Sequence, residues 1–229
     1  MLRVGLTGGL GSGKSTAARL FAAHGAHVLQ SDAMGREMME PGEAVYAAIV
    51  NHFGKAVGLP DGRLDRAALA KISFVDGRVE ELNAIVHPAV IARQAELSEA
   101  IFERDPEAIV MVESALIFET NYGGTPNRER ARWNRRFDRI VLVTAPEEAK
   151  IARFVARSAT SETLTEERRA ELATEARRRL AQQIPDEQKS ALCDYVLTNG
   201  GALTELEWQV DQLWPILKAK ADSLGHRKH

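Results

Sequence analysis

A glycine-rich loop near the N-terminus constrains the fold of this chain more than any other feature. Residues 8–15 read Gly-Gly-Leu-Gly-Ser-Gly-Lys-Ser, which matches the phosphate-binding pattern G-x-x-x-x-G-K-[ST] in full. The apolar run 2–7 before the loop predicts a buried strand, and residues 16–24 after it predict a helix. This order of elements presents backbone N–H groups and a helix N-terminus to an anion. The loop therefore predicts a nucleotide site in which Lys14 reaches the β- and γ-phosphates and the Ser15 hydroxyl binds Mg²⁺.

Short apolar segments that alternate with helical periodicity predict the fold class. The predicted strands are 2–7, 26–29, 109–112, 139–143 and 195–198. Strands separated by helices are typical of an α/β fold, here a P-loop NTPase-type parallel five-stranded sheet with helices on both faces. Ligands bind such sheets at the carboxyl ends of the strands, so we expect functional residues directly after each strand.

The sequence predicts a single P-loop domain, 1–229, with two additions to its core. The core comprises about 1–32, 109–157 and 193–229. Segment 33–108 is mostly helical and is interpreted as a substrate-binding lobe, and the arginine-rich segment 158–192 as a lid. Ordinary surface helices are the alternative for both segments. Segment 121–136 is basic, which is typical of a solvated face, and Trp133 could dock it onto the body of the protein.

Composition restricts the class of protein. With 30 Lys and Arg against 32 Asp and Glu, the chain has a net charge of −2, which gives no reason to expect nucleic acid as a partner. Its single cysteine, Cys193, excludes an internal disulfide and fits a reducing cytoplasm. No apolar run approaches the ~18 residues needed to span a bilayer, and the chain begins directly with a strand, so neither a membrane anchor nor a signal peptide is expected. We expect a cytoplasmic monomer or a weak homo-oligomer.

Two acidic residues lie near predicted strand ends. Asp32 follows strand 26–29 by three residues, where it could hold Mg²⁺ through water, accept the proton of an attacking hydroxyl, or cap the helix predicted at 33–39. Glu113 directly follows strand 109–112, where it could lie behind a loop-bound Mg²⁺ or be a surface charge. Glu119 is a weaker candidate of the same kind. Position alone leaves these alternatives open.

Basic residues supply further candidates. Arg153 and Arg157 are four residues apart on a predicted helix and share a face, which suits either a phosphate clamp or a solvated surface. His87 precedes Pro88 within a helical pattern from residue 79 to 104. Proline there predicts a kink or a junction between two helices, and His87 is either a packing residue or a ligand contact.

Ordered motifs along the chain resemble those of the dephospho-CoA kinase family. Its phosphate-loop stretch is matched by Leu-Thr-Gly-Gly-Leu-Gly-Ser-Gly-Lys-Ser-Thr at 6–16, and its Arg-Ile-x-x-Gln-x-Pro by Arg-Leu-Ala-Gln-Gln-Ile-Pro at 179–185. The other matching segments are 30–32, 41–42, 53–54, 61–69, 87–88, 113–119, 150–157 and 193–201. Departures are Gln30 for an acid, Ala115 for a proline, Lys150 for a glutamine, and segment 121–136, which looks like an insertion.

The resemblance implies transfer of the ATP γ-phosphate to the ribose 3′-hydroxyl of dephospho-CoA, which gives CoA and ADP with Mg²⁺ as cofactor. It implies that Asp32 is the general base, that Arg66 and His87 lie on the acceptor side, and that Asn199 and Gly200 lie near adenine. The implied phosphate-binding residues are Gly11, Ser12, Gly13, Lys14, Ser15 and Thr16. The alternatives are a kinase for another small acceptor such as a nucleoside monophosphate, a GTPase-type switch and a non-catalytic nucleotide-binding module. The absence of an Asn-Lys-x-Asp motif argues against the switch.

Overall fold

The computed structural model describes residues 1–119, 133, 135–158 and 164–225. Its strands are β1 (Leu2–Thr7), β2 (His27–Gln30), β3 (Ile109–Glu113), β4 (Arg139–Thr144) and β5 (Tyr195–Thr198). They form one sheet in the order β2-β3-β1-β4-β5, in which β1 pairs in parallel with β3 and β4, and β4 pairs in parallel with β5. The predicted α/β class with a five-stranded parallel sheet is confirmed. Each predicted strand agrees with the observed one to within a residue at either end.

The helices follow the predicted alternation with the strands. Their bounds are α1 Lys14–Ala23, α2 Ser31–Met38, α3 Ala44–Phe53, α4 Arg66–Ala70, α5 Val79–Arg104, α6 Glu147–Ser158, α7 Glu166–Ala181, α8 Asp186–Ser190 and α9 Leu203–Gly225. A 3₁₀ turn at Lys55–Val57 and a π-helical turn at Lys71–Val75 flank α4. None of the helices in the described ranges is long and apolar enough to cross a membrane.

The chain divides into two compact units. The first comprises Met1–Leu29 and Ile101–His229, and the second is Gln30–Ala100. In the first unit, alternate residues of β1, β3 and β4 point to one face of the sheet, where they pack against apolar side chains of α1 and α9. The apolar side chains buried in this cluster include Leu2 and Leu6 of β1, together with Phe21, Met111, Leu206 and Leu217.

The opposite face of the sheet is covered by smaller clusters. Val112 and Ile140 pack with Ile117 and Phe137, and the Trp133 ring meets Phe118 edge-to-face with ring centroids 5.2 Å apart. Trp133 therefore docks onto the body, as the sequence suggested. Residues 120–132 and 134 of the basic segment lie outside the described residues.

Helices α6 and α7 pack on each other through a core of their own. Its buried members are Ile151, Phe154, Leu172 and Ala176, and Leu10 of the phosphate loop packs against them. The α7 helix is capped by Thr165, whose hydroxyl accepts a hydrogen bond from the Arg168 amide at 3.2 Å. This part of the chain thus continues the hydrophobic core as far as the glycine loop.

The second unit is helical and has its own core. Val45, Ile49 and Phe53 of α3 are buried with Val57, Leu64 and Leu69, and apolar side chains of α2 and α5 pack around them. Helix α5 runs without a break from Val79 to Arg104 and contains Pro88. Of the two alternatives predicted at His87-Pro88, a kink or a junction between two helices, the junction is therefore wrong. The apolar residues on either side of the proline, Val86 and Ala89, both pack on this core.

Candidate active site

The glycine loop connects β1 to α1 in a conformation that requires glycine, as Gly13 and Gly11 illustrate. Gly13, which precedes α1, has φ +97°, and a Cβ there would lie 2.0 Å from the Asn199 Nδ2 atom. Gly11 has φ +71°, and its Cβ would lie 2.2 Å from the Lys150 carbonyl oxygen. Gly13 has no side chain with which to cap α1, and its carbonyl accepts hydrogen bonds from the Thr16 and Ala17 amides at 3.0 Å. The geometry matches a phosphate cradle at a helix N-terminus.

Two oxygen-bearing side chains meet directly beside this loop. The Ser15 hydroxyl donates a 2.6 Å hydrogen bond to Oε1 of Glu113. Glu113 is the last residue of β3, opposite Leu6 in the sheet register, and only 9% of it is exposed. The surface-charge interpretation of Glu113 is therefore wrong. A hydroxyl and a carboxylate at this place are the hard oxygen donors that Mg²⁺ prefers, so the residues present fit this ion.

The Arg153 guanidinium holds the loop against the segment after β5. Its Nη2 atom donates to the Asn199 carbonyl at 2.7 Å, and its Nη1 atom donates to the Gly11 carbonyl at 3.4 Å. Asn199 is buried, and its Nδ2 atom donates to the Ser12 carbonyl at 2.9 Å. Arg153 and Asn199, both predicted to touch the nucleotide, thus also tie the phosphate loop to the β5 edge of the sheet.

The turn between α7 and α8 contacts the loop from another side. Oε1 of Gln183 accepts a 3.0 Å hydrogen bond from the Leu10 amide. Asp186, at the start of α8, forms an ion pair with Lys150 and accepts a hydrogen bond from the Thr144 hydroxyl. Sequence reasoning did not find these contacts. The one signal that could have pointed to them is that Lys150 stands where the resembling family has glutamine.

A second buried ion pair was also missed. Lys189 of α8 is fully buried, and its Nζ atom lies 2.7 Å from Oε1 of Glu119, whose side chain is 17% exposed. Nζ also donates to the Ala115 carbonyl at 3.3 Å. The pair therefore fixes the segment that follows β3 and Glu113 onto α8.

The remaining predicted site residues of the first unit differ in exposure. Lys14 begins α1, and its Nζ atom donates to the Gly9 carbonyl at 3.2 Å. Thr16 lies in the first turn of α1 and is half-buried. Gly200 is exposed, and a Cβ there would lie 3.2 Å from Pro146 Cδ. Arg157 is exposed near the end of α6. Burial raises the pKa of the Cys193 thiol to about 12, which disfavours the thiolate that a nucleophile needs.

The second unit carries the three other candidates. Asp32 is exposed in the first turn of α2, and the residue before this helix is Gln30, so the alternative in which Asp32 caps a helix at 33–39 is wrong. Asp32 adjoins Ser31, whose hydroxyl accepts a 2.8 Å hydrogen bond from the buried Gln94. Arg66 is exposed and pairs with Glu40 at 3.0 Å. His87 is half-buried in α5.

Comparisons with known proteins show the family of this chain. A family model described as dephospho-CoA kinase matches residues 2–205. A dephospho-CoA kinase of Thermobifida fusca is 38% identical over 224 residues, which cover 97% of this chain and 100% of that protein. One from Streptomyces avermitilis is 36% identical, with 98% of each chain covered. A crystal structure of a Thermus thermophilus protein, 31% identical, superposes with a TM-score of 0.69 over 94% of this chain and 97% of that one.

The family match covers the phosphate loop, the Ser15–Glu113 pair, the Arg153–Asn199 contacts and the α7–α8 turn alike. The relatives also align along nearly the whole chain, so the likeness is not restricted to a loop that many kinases share. This chain belongs to the dephospho-CoA kinase family.

Proposed function

We propose that this chain transfers the γ-phosphate of ATP to the ribose 3′-hydroxyl of dephospho-CoA and so produces CoA and ADP. Family membership supports the reaction and the use of ATP. The observation that carries the proposal is the Ser15–Glu113 pair at 2.6 Å beside an uncapped helix start, since this arrangement suits a metal-bound polyphosphate. These features concern the phosphates and not the acceptor, so the choice of dephospho-CoA over another small acceptor rests on family membership.

The phosphate loop supplies most of the binding. The loop and the first turn of α1, residues Gly11 to Thr16, would bind the phosphate oxygens, and the Lys14 ammonium would balance their charge. Ser15 would hold Mg²⁺ with Glu113 behind it. The ion supplies neutralisation of charge on the β- and γ-phosphates when bound. Asn199 and Gly200 are proposed to border the adenine, because they follow β5 at the carboxyl end of the sheet.

Asp32 is proposed as the general base. It lies two residues beyond β2, so it follows a strand at its carboxyl end, where ligands of parallel sheets bind. Its exposed carboxylate would accept the proton of the attacking 3′-hydroxyl. Arg66 and His87 are proposed to bind the acceptor, and segment 33–108 to form the lobe that carries them.

The negative charge on the transferred phosphoryl group requires further cations to neutralise it. Arg153 and Arg157 are proposed to supply them from one face of α6. Segment 158–192 is proposed as a lid that excludes water, which would otherwise compete with the hydroxyl as acceptor. The contact of Gln183 with Leu10 supports a position of this segment over the loop.

Acceptor-dependent ADP release tests the proposal. The purified protein with ATP and Mg²⁺ is assayed with dephospho-CoA, with AMP and with no acceptor. We expect ADP release to depend strongly on dephospho-CoA. Equal rates with AMP would favour the nucleoside monophosphate kinase, and equal rates without acceptor would refute phosphoryl transfer to an alcohol.

The Asp32→Asn variant tests the base. Loss of a general base lowers kcat by about 100-fold or more, while ATP binding through the loop is unchanged. Glu37→Gln, another exposed acid of α2, is the matched control and should retain kcat. Wild-type turnover by Asp32→Asn would refute the assignment.

A further inference from the structure

Lys150 is a buried cation, and removing a charged group from water costs free energy. Its side chain is 9% exposed and forms an ion pair with Asp186, whose side chain is 20% exposed. The same carboxylate accepts a hydrogen bond from Thr144 at the end of β4. A buried pair of this kind contributes little net stability, and removal of one partner leaves an uncompensated charge. The arrangement therefore needs a reason beyond stability.

The pair lies against the phosphate loop. The Lys150 carbonyl oxygen lies so close to Gly11 that only glycine fits there, and a Cβ at Gly9 would lie 3.5 Å from both Lys150 Nζ and Asp186 Oδ1. Gln183, in the turn before Asp186, accepts from the Leu10 amide. The successive loop residues Gly9, Leu10 and Gly11 are thus all contacted by α6, by the α7–α8 turn or by the start of α8. The ion pair joins α6 to the first residue of α8, which directly follows the turn.

We propose that Lys150 and Asp186 are positioning residues that hold the phosphate loop in its nucleotide-binding conformation. The pair keeps the α7–α8 turn on α6, and the turn keeps Gln183 on the Leu10 amide. A loop that is already ordered loses less conformational freedom when the phosphates bind, so affinity for the nucleotide is higher. The inference rests on the proposed function only in that the loop is taken as the nucleotide site. The ligand of the phosphate loop is the polyphosphate of a nucleoside di- or triphosphate.

A double-mutant cycle tests the proposal. The variants are Lys150→Gln, Asp186→Asn, the double variant and Lys150→Arg, and the readout is the Kd of Mg·ADP by calorimetry. The control is Arg168→Gln, which removes an exposed ion pair with Glu171 on α7. Because Gln and Asn can hydrogen-bond to each other without charge, the double variant should keep the turn in place.

We expect each single neutral variant to weaken ADP binding about tenfold, and the double variant and Lys150→Arg to stay within about threefold of wild type. KM for ATP should rise in parallel, while kcat and KM for dephospho-CoA change less than about twofold, a split that general destabilisation would not give. Single variants that fold and bind ADP normally would overturn the proposal. So would a double variant whose loss equals the product of the two single losses.

If the single variants fail to fold, the double variant alone tests the proposal. Its ADP affinity should stay close to that of the wild type, and an affinity about tenfold weaker would overturn the proposal. ADP binding does not depend on the acceptor. If dephospho-CoA fails to stimulate ADP release in the wild type, the proposed function fails while the mutant cycle still tests the positioning role.

Discussion

The Lys189→Met substitution gives a prediction whose size follows from the structure. Lys189 is fully buried, and methionine has nearly its length without its charge. The change leaves Glu119, which is 17% exposed, without its cation, and it also removes the hydrogen bond to the Ala115 carbonyl. Breaking a buried ion pair from one side costs about 3–5 kcal/mol of folding free energy. For a chain of this size each kcal/mol lowers Tm by about 2 °C, so we expect a decrease of about 6–10 °C.

Thermal unfolding followed by circular dichroism measures this effect. The double variant Lys189→Met with Glu119→Gln removes both charges, and the glutamine oxygen can still accept from the Ile184 amide, which donates to Glu119 at 3.4 Å. It should recover most of the lost Tm, because no uncompensated charge remains. Arg168→Gln, which breaks an exposed pair, should lower Tm by less than about 1 °C. A Lys189→Met protein as stable as wild type, or a double variant no more stable than the single one, would refute this reasoning.

Three further predictions concern the loop, the metal and the cysteine. Gly13→Ala should weaken ADP binding by about tenfold or more, because its Cβ would collide with Asn199 and φ +97° is strained for alanine; calorimetry checks this, and unchanged binding would contradict it. Glu113→Gln should raise the Mg²⁺ concentration needed for half-maximal activity by about tenfold through its bond to Ser15, and an unchanged Mg²⁺ titration would contradict it. Cys193 should react with iodoacetamide about 1,000-fold more slowly than a free thiol at about pH 8, because burial raises its pKa to about 12 and so suppresses the thiolate; rapid labelling of the native protein, followed by mass spectrometry, would contradict it.

The sheet could be predicted from the sequence because its three central strands, β1, β3 and β4, are buried on both faces. Such strands are continuous apolar runs, and 2–7, 109–112 and 139–143 were found to within a residue at either end. The glycine loop could also be recognised from the sequence, since its conformation requires glycine at fixed positions. The fold class and the phosphate site thus depend on local patterns that the sequence displays directly.

Helix boundaries in the second unit were harder to predict, because tertiary packing decided them. Pro88 removes one backbone donor, which favours a break, but apolar side chains on both sides of it are held on the same core, and the helix continues. Helix α2 likewise begins at Ser31 instead of after Asp32. Asp32 is still favoured there, since a negative charge in the first turn interacts well with the helix dipole.

No local sequence pattern indicated the contacts between residues that are far apart in the chain. Lys189 and Glu119 are 70 positions apart, and neither position stands out in the sequence as a partner of the other. The Lys150–Asp186 pair was visible only as a lysine in place of a glutamine. Arg153 was recognised as important for its spacing from Arg157, but its bonds to Gly11 and Asn199 depend on how the β5 edge meets the loop.

The position of the transferred phosphate tests the central claim most directly. The protein is incubated with ATP, Mg²⁺ and dephospho-CoA, and the products are resolved by phosphorus NMR. The account predicts one new phosphomonoester on the ribose 3′-oxygen, formed in step with ADP. Release of inorganic phosphate in its place, or a phosphate at any other position of the acceptor, would contradict it.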